Sequence, residues 1–164
     1  MTIYYDVAEQ KVVYEAVVAQ STYIGMGYGT DMVNVDMAAW IADSGSSFQQ
    51  TMYSYGFEYP APSDINEYNT TWTFNATHTS FLSTRPLNPN TPNAYVIPLD
   101  ESFPIVWAWQ TTPYVDFHGN NAGSLSITLS SANGGCVLGA VQKYKTFTLH
   151  GVLLWFAWSI LGVA

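Results

Sequence analysis

The chain has 164 residues, enough for one domain with a real core, and it is rich in aromatic side chains (16%) but poor in charged ones (10%). Its net charge of −8, with Lys11, Arg85, Lys143 and Lys145 as the only bases, excludes a nucleic-acid partner, because nothing here neutralises a run of phosphates. Cys136 is the single cysteine, so neither an intrachain disulfide nor a cysteine-rich zinc or iron–sulfur site can form.

Residues 1–135 read as all-β, because short apolar or alternating runs recur with turn residues between them. The segment 1–6 lacks a basic region followed by an apolar run, so no signal peptide is expected in it. Strands are expected at 11–19, 22–28, 35–42, 48–55, 67–77, 80–84, 94–97, 103–109 and 124–129. The stretch 85–93 holds three prolines and is expected to be irregular. So many short strands at this spacing point to an immunoglobulin-like β-sandwich, with a closed barrel as the alternative.

Within 23–29, Gly25, Gly27 and Gly29 share a strand face with Tyr23. Glycine weakens a strand, and such a face lets something flat, or a bulky side chain of the facing sheet, approach the backbone. Met32 follows in a polar turn with Thr30, Asp31 and Asn34, whereas Met26 and Met37 occupy strand positions. His118 stands between Phe117 and Gly119 in a loop before the strand at 124–129. Thioether and imidazole together hold haem iron in many electron carriers, but on spacing alone core packing is the simpler reading of both.

Two acceptor sequons occur, Asn69-Thr-Thr71 and Asn75-Ala-Thr77. Read as a strand, 68–77 puts Asn69 and Asn75 on its polar face, where glycans would leave the core undisturbed. After Gly134-Gly135 the character changes, and residues 147–164 carry no charged side chain and are apolar all round. That length is at the lower edge of a bilayer span, so 143–164 is expected to be a membrane helix. A buried C-terminal helix in a soluble assembly is the alternative.

The run Ile24-Gly-x-Gly-x-Gly-x-x-Met32-x-x-x-Asp36-Met37-x-x-Trp40 resembles the signature of DOMON domains, β-sandwich modules related to the cytochrome domain of cellobiose dehydrogenase. Arg85-Pro86-Leu87, Ile105-Val-Trp-Ala-Trp109 and Phe117-His118-x-x-x-x-Gly123 resemble further family segments, in order. Lys145-x-x-x-x-His150-Gly151 looks like the opening helix of a cytochrome b561 module. The resemblance implies haem b with Met32 and His118 as axial ligands of its iron, and Gly25 and Gly27 against the cofactor. It also implies His150 as a ligand of a second, membrane haem whose partner ligand lies beyond Ala164.

The expected function is therefore electron transfer between a redox partner and membrane haems. The alternative is a haem-free module that binds sugars or a partner protein. Lys143 and Lys145 before the helix would place the β-domain in the cytoplasm. The sequons and the resemblance place it outside the cell or in a lumen, and that is the expected location of a membrane-anchored protein. No spacing marks a catalytic pair of carboxylates, a nucleophilic triad or a phosphate loop.

Overall fold

The computed structural model describes residues 1–132 and 136–138. Eleven strands form two sheets: β1 (Thr2–Asp6), β2 (Lys11–Ala19), β3 (Thr22–Gly27), β4 (Val35–Ala42), β5 (Phe48–Ser54), β6 (Ala61–Pro62), β7 (Asn69–Phe74), β8 (His78–Pro86), β9 (Ser102–Gln110), β10 (Ala122–Leu129) and β11 (Cys136–Leu138). One sheet has the order β1-β2-β8-β7 and the other β11-β10-β9-β3-β4-β5-β6, and every pairing is antiparallel. Two open sheets make a sandwich rather than a closed barrel.

The alternation read from the sequence explains the packing. In β2, Val12, Tyr14, Ala16 and Val18 are buried while Glu15 and Val17 are exposed. Between the sheets they meet Met26, Tyr28, Ala38, Trp40, Phe103, Ile105, Ile127 and Leu129. A second cluster lies on the opposite, outer face of the larger sheet: Tyr23, Val35, Met37, Ala39, Ile41, Met52 and Val106. Strand β4 contributes to both, and all eight of its residues are buried.

Three strands were not expected. β1 forms a hairpin with β2, its turn held by Asp6, whose carboxylate accepts the amides of Ala8 and Glu9. β6 and β11 are two and three residues long and add to sheet edges, and their shortness hides them from periodicity. Conversely, 94–97 is not a strand. The Tyr95 amide donates to Asp36 and the Ile97 amide to the Leu87 carbonyl, so a side chain and a loop take the donors that a ladder would use. The irregular stretch also begins later than expected, because β8 runs through Arg85 to Pro86, which stands opposite Lys11 at the strand's end.

Among the described residues no helix is long and apolar enough to cross a membrane. The expected helix at 143–164, with His150 and the b561-like opening, lies outside the described residues.

Candidate functional site

The turn that carries Met32 is fixed at both ends. The Tyr28 amide donates to the Asp36 carbonyl (3.0 Å), and Ser54 Oγ donates to the Met32 carbonyl (2.6 Å). Asp31 accepts the Val33 amide (2.8 Å), and Asn34 closes the turn at φ 55. The Met32 side chain is half-buried. Met37, as the sequence suggests, is in a strand: it faces Met52 across the β4–β5 ladder and belongs to the outer-face cluster.

His118 is held by a second turn. The Asn121 amide donates to the His118 carbonyl (3.0 Å), and Gly119 takes φ 58, which a side chain would disfavour. This brings the Gly119 carbonyl within 3.1 Å of His118 Nδ1. A carbonyl only accepts, so this contact is a hydrogen bond when the proton is on Nδ1, and the neutral form of that tautomer has its lone pair on Nε2. The Phe117 ring stacks on the imidazole at 5.7 Å. The loop 111–121 is tied down by the Tyr23 hydroxyl, which donates to the Asp116 carbonyl, and by Val115, which packs on the outer-face cluster.

Register fixes where the two candidates stand. Tyr23 pairs with Gln110 and Gly27 with Val106. The Met32 turn therefore leaves the Gly27 end of β3, and the His118 loop leaves β9 beside the Tyr23 end, about 13 Å apart along the strand at roughly 3.3 Å per residue. They flank the outer face, over which Val115 draws the His118 loop back, and no described hydrogen bond or ring contact joins them.

The glycine face between them is uneven. A Cβ on Gly25 would find its nearest neighbours at 3.8 Å, so there is room there. One on Gly27 would meet Val35 Cγ1 at 2.6 Å, because Val35, Met37 and Val106 already close over it. The bulk that covers the glycines thus comes from neighbouring strands of the same sheet, not from the facing sheet. Exposed aromatic rings stand in two loops: Tyr55, Phe57 and Tyr59 in the one after β5, Tyr114 and Phe117 in the one that carries His118. On the inner side of β3 an apolar slot of about 470 Å³ opens between the sheets, lined by Ile24, Met26, Ile105 and Trp107 among others, and neither Met32 nor His118 borders it.

Two residues of the signature segments, given no role by the sequence, prove to be partners. Arg85 on β8 reaches across the sandwich to Asp36 on β4 (2.7 Å) and also binds Glu67 (2.9 Å) and the Tyr95 carbonyl (2.9 Å). Its guanidinium lies over the Tyr28 ring at 4.9 Å, and it is wholly buried. Around it Tyr14, Tyr28 and Tyr68 join hydroxyls, and Trp40 donates to Ser83 (2.7 Å). Burial pushes the three tyrosine hydroxyls above the usual phenol range, so they stay neutral. Burial also lifts the Asp36 carboxyl to about 6, against the pull of the Tyr95 amide and Arg85. For Arg85, burial works against the charge, and the Asp36 carboxylate beside it strengthens its hold on the proton. This cluster joins the sheets; spacing could not reveal it, since its hydrogen bonds join residues as much as 59 apart in sequence.

Asn69 opens β7 and Asn75 follows it, both exposed. Of the strand expected over 68–77, β7 keeps Asn69–Phe74: Asn69, Thr71 and Thr73 pair with Thr84, Leu82 and Ser80 on the outward side of β8, whereas Asn75 and Thr77 lie in the turn that follows.

The chain is similar to known proteins in two respects. The DOMON domain family matches residues 1–110. Among solved structures, the cytochrome domain of Myriococcum thermophilum cellobiose dehydrogenase superposes with a TM-score of 0.58 at 13% identity, over 77% of this chain and 69% of that one. At that identity the likeness speaks for the fold. No curated protein matches the chain. Since the family match spans the sandwich through β9, the chain belongs to the DOMON domain family.

Proposed function

We propose that this DOMON domain is a b-type haem electron carrier with Met32 and His118 as its axial ligands. The observation that carries the reading is the placement of the His118 ring: the Gly119 carbonyl stands 3.1 Å from Nδ1, so a proton there would leave Nε2 for a metal. Such a backbone partner is what fixes tautomer and ring orientation in ligating histidines. The donor set fits haem, since imidazole and thioether stand on two loops that flank a sheet face where Gly25 adds no bulk of its own and has its nearest neighbours 3.8 Å from a Cβ position.

Bound haem would supply one-electron chemistry at its iron. The chain's own residues set the conditions for it. The Met32 thioether raises the potential relative to a second histidine. Held by both Met32 and His118, the group would supply electron transfer rather than oxygen activation. The rings of Tyr55, Tyr59, Tyr114 and Phe117 would exclude water from the outer face. We place the sandwich outside the membrane or in a lumen. Electrons would pass between a redox partner and a membrane module that begins at 143–164, where His150 would hold a second haem.

The test is a haem titration of the purified full chain in detergent. A Soret band that shifts or is lost in Met32→Ala and in His118→Ala is the expected result. A full chain that takes up no haem, or whose spectrum ignores both substitutions, would leave the haem-free binding module as the reading.

A further inference from the structure

The hairpin that joins β7 to β8 carries chemistry that the redox reading does not use. Asn75 and His78 close it, with the Asn75 amide donating to the His78 carbonyl (2.9 Å). The Asn75 side-chain oxygen accepts three bonds of 2.9 Å, from the Thr77 amide, the Thr77 hydroxyl and the His78 amide. Those bonds engage the oxygen of an exposed residue and leave the side-chain nitrogen, the atom that N-glycosylation modifies, outside the described hydrogen bonds. The residue just before it, Phe74, is 61% exposed, although its position in β7 is on the same side as Thr79 and Phe81, which are buried. The whole segment 68–84 carries no Asp, Glu, Lys or Arg in a chain of net charge −8, so charge does not solvate this sheet edge.

We infer that Asn75 carries an N-linked glycan whose first sugar folds round the free edge of β7 to cover Phe74 on the strand's other side, and so stabilises the hairpin. In the modification, Asn75 Nδ2 forms a bond to C1 of a lipid-linked oligosaccharide. The lipid pyrophosphate leaves, and one amide proton is released. The sugar ring then offers its apolar C–H face to a phenyl ring that water otherwise wets, and its hydroxyls replace the missing charge. Asn69, the other acceptor, is the internal contrast: the ring before it, Tyr68, is buried, so a glycan there has no exposed aromatic neighbour to cover.

The test uses the full chain with Asn69→Gln, secreted from a eukaryotic host behind an added leader and kept in detergent. An intact-mass increment of one glycan is expected. The protein is then trimmed either by an endoglycosidase that leaves one sugar or by an amidase that removes the whole glycan and converts the asparagine to aspartate. The one-sugar form is expected to melt about 2–4 °C higher. In a Phe74→Ala background, which is exposed enough to fold, that difference disappears. The conversion of asparagine to aspartate is common to both backgrounds and cancels. Absence of the mass increment, or an equal difference with Phe74 and with alanine, would overturn the inference.

Discussion

At the scale of single residues, Arg85 is the group on which most depends. It is wholly buried, and two carboxylates, a carbonyl and two aromatic faces converge on it from both sheets. Replacing it with Met would leave Asp36 and Glu67 buried without their cation. Arg85→Met is expected to cost about 3–5 kcal/mol in urea unfolding. Asp36→Asn is expected to cost clearly less, because Glu67 still neutralises the guanidinium. Equal losses would mean that the Asp36 pair, rather than the cation, is the keystone. Asp36 and Arg85 were visible in the sequence as pieces of a family signature. Their pairing was not, because 49 residues and two sheets separate them and no local period encodes that.

At the scale of elements, β3 separates what was legible from what was not. Its strand pattern and its glycine face follow from alternation alone. Which glycine is filled and which is open depends on neighbours recruited from β4 and β9, Val35, Met37 and Val106, and only the register supplies those. The two positions should therefore respond differently. Gly27→Ala sets a methyl 2.6 Å from Val35 Cγ1 and is expected to lose about 1–3 kcal/mol. Gly25→Ala meets nothing closer than 3.8 Å and should stay within about 0.5 kcal/mol of the parent. Urea midpoints of the two variants compare them directly. The same reasoning explains the false strand at 94–97: its residues look apolar enough, but Tyr95 gives its amide to Asp36, a demand that originates 59 residues upstream.

At the scale of the whole molecule, charge dominates. Among the described residues the bases are Lys11, which pairs with Glu9, and buried Arg85, so the sandwich presents an almost purely acidic exterior. Asp31 and Asp116 stand in the Met32 turn and the His118 loop themselves, and Glu58 is in the aromatic loop beside them. If electrons leave by this face, reaction with a cationic reagent such as ruthenium hexaammine should slow about tenfold between low and physiological salt. Reaction with anionic ferricyanide should quicken. Stopped-flow traces at several ionic strengths would show it, and rates indifferent to salt would point to exit elsewhere.

The strand order has a further consequence, for how the chain reaches this state. Consecutive strands supply most ladders, but β2 must find β8, joining Lys11 to Pro86, and β3 must find β9, joining Tyr23 to Gln110, before either sheet is complete. The central strand β4 can bury its two faces only after those distant partners arrive. Loop closure thus precedes completion of the core, which makes for acquisition over milliseconds to seconds rather than microseconds. During that interval the apolar strands are open to pairing with other chains, so chaperones or a sheltered compartment would matter most while the chain is being made.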